Sequence, residues 1–181
     1  MLFLETVGNA KTALKISMLY GDFNAYYTLI ADDFFGFSVA GMSDMNGGGT
    51  NDLAVGAFDK DGGTTATGTV YVIFLETIGT VKDVQKLSML YDNFNAFYTL
   101  HEGDQFCSAL AAIGDVDGDG VVDLAVGSRG NDDGSSGAGA VYVLSLESDG
   151  TVKGAHKLSM LYGNFNSLYA LEADDNFGTS I

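Results

Sequence analysis

The hexapeptide Lys86-Leu87-Ser88-Met89-Leu90-Tyr91 returns as Lys157-Leu158-Ser159-Met160-Leu161-Tyr162, 71 residues later. The same offset carries Lys15-Ile16-Ser17-Met18-Leu19-Tyr20 onto the copy at Lys86. It carries Asp52-Leu53-Ala54-Val55-Gly56 onto Asp123-Leu124-Ala125-Val126-Gly127, and Val70-Tyr71-Val72 onto Val141-Tyr142-Val143. No insertion breaks the register. A chain with such a period folds as successive copies of one supersecondary unit, each burying its apolar face against the next.

Each copy reads as four short strands. Residues 35–40 are apolar and small, and 52–57 form a short apolar run ended by glycine. Residues 69–75 are rich in β-branched and aromatic side chains, and 81–90 alternate loosely, as an outer strand with one wet face does. With 25 glycines and no proline, the turns rest on glycine and Asp/Asn, as in Asp61-Gly62-Gly63 and Asp149-Gly150. Four strands per repeat without helical periodicity predict an all-β fold, a partial β-propeller of four-stranded blades. The period exceeds the roughly 40–50 residues of common propeller repeats, and the excess falls in long loops such as 91–105. A β-solenoid is the structural rival, although its rungs are shorter. The expected organisation is a repeat over 30–100 and another over 101–171. Residues 1–29 then end a preceding blade and 172–181 start a following one, so the expectation is an incomplete ring of about two full blades.

The chemistry concentrates in Asp115-Val116-Asp117-Gly118-Asp119-Gly120-Val121-Val122-Asp123. Carboxylates at positions 1, 3, 5 and 9 (Asp115, Asp117, Asp119, Asp123) can converge on one ion, with the Val121 carbonyl at position 7. Gly120 at position 6 permits the sharp turn. Hard oxygen donors on a flexible loop suit Ca²⁺ over Mg²⁺, and no Cys/His cluster points to zinc. Val126 stands where an EF-hand has its bidentate Glu, inside a predicted strand, so the loop lies between strands. The copy in the first repeat is poorer: Asp44, Asn46, Gly48, Thr50 and Asp52, with glycine at position 5.

These residues together resemble the FG-GAP repeats of integrin α-subunit propellers and their microbial relatives. The resemblance rests on Phe35-Gly36 and Phe177-Gly178, the two acidic loops, Leu53-Ala54-Val55-Gly56-Ala57 with Leu124-Ala125-Val126-Gly127-Ser128, and Val141-Tyr142-Val143. Cys107 stands where that pattern has glycine. The resemblance implies a seven-bladed propeller, placement outside the cell or on its surface, structural calcium, and adhesion or recognition of a protein or glycan ligand. It places ligand-facing loops at 91–105 and 58–68, with the calcium loops on the opposite face. The remaining blades of the same propeller would be further partners. The alternative is an accessory propeller of a larger secreted or surface enzyme, a phospholipase or a polysaccharide-active protein.

Composition narrows the partners. Asp and Glu number 24 against 8 Lys and Arg, a formal net charge of −16, which repels nucleic acid and anionic membranes. No apolar run approaches the roughly 18–20 residues of a membrane helix. The single cysteine allows no intramolecular disulfide. No catalytic set emerges. Gly36-Phe37-Ser38-Val39-Ala40 has the outline of a nucleophile elbow, but the repeat equivalent of Ser38 is Ala109 and no helix follows. His101 and His156 lack repeated partners and read as surface residues, and Cys107 reads as a buried thiol. The recurring aromatics Tyr91, Phe94, Phe97 and Tyr98 read as packing between blades, with a recognition surface as the alternative. The expectation is a non-catalytic module.

Overall fold

The structure, a computed structural model, describes residues 2–4, 10–58, 67–92 and 94–181. A short hairpin pairs β1 (Leu2–Leu4) with β2 (Ala10–Ala13). Then come two four-stranded antiparallel sheets in chain order. The first contains β3 (Val39–Gly41), β4 (Leu53–Ala57), β5 (Thr69–Leu75) and β6 (Val81–Leu87). The second contains β7 (Phe106–Gly114), β8 (Asp123–Ser128), β9 (Ala140–Leu146) and β10 (Val152–Leu158). These are two meander blades of a β-propeller whose sheets do not close on one another. The β4–β5 and β8–β9 pairings share one register, Val55 opposite Tyr71 and Val126 opposite Tyr142.

The strands differ from the sequence expectation at two places. The inner strand of the first blade starts at Val39, not near Phe35, because Phe34 (φ 50°) and Gly36 (φ 90°) leave the extended region. The Phe35 ring turns instead into a cluster with Phe23 and Tyr71. The outer strand ends at Leu87, and the following loop holds a short 3-10 turn, Phe94–Ala96, repeated at Phe23–Ala25 and Phe165–Ser167. Three-residue turns are too short to leave a helical period in the sequence.

Packing follows the pleat. Every residue of β5 is buried, so this central strand reads as an apolar run with no alternation. Val70, Val72 and Phe74, with Ala40 and Ala54, face the second blade and meet Leu110, Leu124, Val126, Tyr142 and Leu144 in one core. Burial of each such leucine contributes about 1.5–3 kcal/mol. Tyr71, Ile73 and Leu75 face the other way, with Phe23. The repeat makes Val39 equivalent to Leu110, yet Val39 is 56% exposed and Leu110 8%. Two stacked blades have one shared interface, so the front face of the first blade keeps an apolar cleft of about 290 Å³ bounded by Val39, Leu53 and Ile73.

Backbone and hydroxyl contacts stitch the blades. The Phe106 N–H donates to the Thr67 carbonyl at 2.9 Å. Ser38 Oγ donates to the Cys107 carbonyl at 2.6 Å, and Ser108 Oγ donates to the Gly178 carbonyl at 3.0 Å. Cys107 and Gly178 are repeat equivalents, whereas Ser38 and Ser108 are not. The register irregularity in β7 between Phe106 and Leu110 accompanies that change of donor position. Cys107 adopts φ 83°, in the region where Gly36 and Gly178 sit, so the glycine of the pattern had a conformational purpose that this residue meets under strain.

Candidate metal site

The acidic loop joins β7 to β8, and the β9–β10 hairpin lies at the same end of the blade. Asp115, Asp117 and Asp123 each place a carboxylate oxygen within 4.8 Å of the others. Asp115 is oriented by the loop backbone. Its Oδ1 accepts from the N–H groups of Gly118 (2.6 Å) and Asp119 (3.0 Å), and its Oδ2 from Gly120 (2.8 Å). The turn that aims these N–H groups inward needs φ of 84° at Gly118 and 91° at Gly120, which glycine takes without steric cost.

Asp123 has a second task that spacing did not reveal. It is fully buried, Oδ2 accepts from the Val116 N–H at 2.8 Å, and Oδ1 accepts from the Leu146 N–H at 3.0 Å. This carboxylate pins the start of the loop to the end of β9. Asp52 repeats the arrangement on the Met45 and Leu75 N–H groups, both at 3.0 Å. A carboxylate has about four acceptor sites, so Asp115 and Asp123 keep lone pairs for an ion beyond these contacts. The donor set of oxygens only, clustered on one loop, fits a hard divalent cation.

Asp119 falls outside the trio. Its Oδ1 accepts from the Val121 N–H at 2.8 Å, and its Oδ2 is bonded to the ammonium of Lys153 on β10. Lys153 also lies 2.9 Å from Asp117 Oδ2. The Lys153 hydrogen bond, then that from the Val121 N–H, holds the Asp119 carboxyl below the usual aspartate range. Lys153 is a neighbour of the loop that the aspartate spacing did not point to. Its signal was present in the period: Lys82 and Lys153 occupy the second residue of β6 and β10.

The first loop keeps the scaffold and loses ligands. Asp44 accepts from Gly48 and Gly49, both at 2.8 Å, and Asn46 Oδ1 accepts from Gly48 at 2.8 Å. Gly48 offers no side-chain donor, and Thr50 is half-buried. Burial, then the charge of Asp44, pushes the Asp52 carboxyl up against the pull of its two N–H donors and Lys82.

The other singled-out residues are structural in place. Ser38 binds a backbone carbonyl, Cys107 is buried with its thiol donating to the Ala57 carbonyl at 3.3 Å, and both histidines are exposed. Phe94 and Tyr98 stack edge-on against Tyr142 at 5.6 and 5.5 Å, so these aromatics do pack between blades. Tyr91 and Phe97 stay partly exposed. Most of the 58–68 loop lies outside the described residues.

Blade architecture and acidic loop together define a class. Residues 108–144, which run from β7 through the loop to β9, match the FG-GAP repeat family model. The chain thus contains an FG-GAP repeat and is similar to an integrin α chain. It is 35% identical over 117 residues, 62% of its length, to Integrin alpha-PS2 of Drosophila melanogaster, and the match spans 8% of that protein.

Proposed function

We propose that the chain is a calcium-stabilised, extracellular or cell-surface propeller module for adhesion or for recognition of a protein or glycan ligand, and that it is non-catalytic. The observation that carries this reading is the convergence of Asp115, Asp117 and Asp123 inside the segment that matches the FG-GAP repeat. Asp119 and the Val121 carbonyl complete the proposed ligand set. Asp44, Asn46, Gly48, Thr50 and Asp52 form a weaker second site. Calcium here is structural: it offsets the mutual repulsion of the loop carboxylates and ties β7 to β8. The repeats at 30–100 and 101–171 are the blades, and further blades of the same propeller are their neighbours. Similarity to an integrin α chain supports a protein ligand, met by loops such as 91–105 with their exposed Tyr91 and Phe97. Among the described residues no helix is long and apolar enough to cross a membrane.

Thermal melts with calcium and with chelator test the reading. A ligand of the native state at 100-fold over Kd adds about 2.7 kcal/mol, which for a chain of this size raises Tm by about 5–11 °C. Identical melts of a folded sample refute the calcium role. Binding to immobilised matrix proteins and glycans, with and without calcium, tests recognition, and an absence of binding to both refutes it.

A further inference from the structure

We propose that Lys153 is a tethered cation of the acidic loop: its ammonium holds Asp117 and Asp119 when no metal is bound and is displaced when calcium enters, so that this lysine sets the calcium affinity. The inference rests on the calcium reading above and concerns a residue 34 positions from Asp119, on another strand. The loop divides its acidic groups between two kinds of partner. Asp115 and Asp123, at positions 1 and 9, are held by backbone N–H groups that remain whether or not an ion is present. Asp117 and one oxygen of Asp119, at positions 3 and 5, are held by the Lys153 ammonium, while the other Asp119 oxygen accepts from the Val121 N–H.

The two anchorages differ in how easily they yield. A backbone N–H cannot leave without unfolding the turn. The lysine side chain is a four-carbon stem with a mobile point charge, and the pairs are partly exposed: 23% for Lys153, 34% for Asp117 and 30% for Asp119. Such pairs are individually weak. A divalent ion among four carboxylates outbids a single ammonium that reaches two of them, and the lysine swings to solvent. In the metal-free state it performs part of the ion's task, neutralising charge where the carboxylates crowd.

The period supports a built feature. Lys82 holds the same place on β6 and lies beside the first loop: a side chain added at Gly48 would meet its ammonium at 3.5 Å. That loop has Asn46 and Gly48 where the second has Asp117 and Asp119, so its lysine lacks both of the carboxylates that Lys153 holds. Lys11 stands at the corresponding position on β2.

Calcium titration calorimetry on the full chain, wild type against Lys153→Gln and Lys153→Arg, decides the point. Removing two weak, partly exposed pairs that compete with the ion makes Lys153→Gln bind about three- to tenfold tighter, with a smaller gap at high salt. Lys153→Arg keeps the charge and binds no tighter than wild type. Melts give an independent readout: in chelator Lys153→Gln melts below wild type, and saturating calcium raises its Tm by more. Equal or weaker calcium binding by Lys153→Gln overturns the role of the lysine while leaving the calcium reading intact. No calcium binding by wild type or by Lys153→Gln refutes both.

Discussion

Asp123 is expected to matter twice, and the two contributions separate experimentally. Asp123→Ala removes a fully buried carboxylate that accepts the N–H groups of Leu146 and Val116. A hydrogen bond to a charged acceptor contributes about 1.5–3 kcal/mol. The Leu146 N–H lies in a buried strand and is left unsatisfied. Val116 is exposed, so its N–H turns to water and the second loss is smaller. The expected cost without calcium is therefore about 3 kcal/mol, or about 6–12 °C in Tm. Asp115→Ala frees N–H groups that are already at the surface, so in chelator it costs less than about 1 kcal/mol. In saturating calcium both variants also lose the ion's contribution. Differential scanning calorimetry in chelator and in calcium reads both quantities. The decisive comparison is in chelator: if Asp123→Ala and Asp115→Ala melt together there, the buried staple carries no weight and the account of Asp123 is wrong. Asp52→Ala, which removes the same staple from the first repeat, should reproduce the chelator loss.

Two further outcomes follow from the buried charges. Lys157 is 5% exposed, its ammonium lies 2.6 Å from Asp133 and it sits over the rings of Tyr142 and Tyr162. Lys157→Met removes the counter-charge of Asp133, leaving it the Ser159 hydroxyl, and should cost about 3 kcal/mol by urea denaturation; a change within about 0.5 kcal/mol would count against it. The pH dependence has two windows. Burial pushes Asp52 and Asp104 above the ordinary value of 3.8, so the native state takes up their protons before the unfolded state does. In chelator, stability should rise as pH falls from neutral through those raised values, and Asp104→Asn should flatten the slope. Asp119 and Asp149 sit below 3.8, held chiefly by Lys153 and Thr151. Their contributions are present above that value and disappear as pH falls through their lowered ones. Melting curves across pH check both signs, and an Asp104→Asn slope equal to wild type would contradict the assignment.

Much of this was legible before any coordinate. The 71-residue period grouped strands into fours, and the one-three-five-nine spacing of aspartates located the loop. Both are local: a strand's pleat and a nine-residue turn are governed by bonds and side chains close in the chain. The long inter-blade loops were legible as loops, while their 3-10 turns were not, because three residues carry no period. Cys107 shows the limit of pattern from the other side. Its departure from glycine was visible, but only the backbone reveals that it keeps the glycine-like φ.

Three features belonged to the tertiary structure alone. Repeat equivalence makes Val39 and Leu110 the same residue, and only stacking leaves one open and covers the other. Position 9 of the loop read as a ligand, and the meander brings Leu146 beneath it, 23 residues on, to make it a staple. Lys153 read as one lysine among eight basic residues, until the β9–β10 hairpin returned it to the loop it neutralises. The physical reason is common to all three. Spacing along the chain fixes which groups can meet within a turn. Which strands lie side by side, and which face is covered, depends on burial summed over a whole sheet, and that sum is not a property of any short segment.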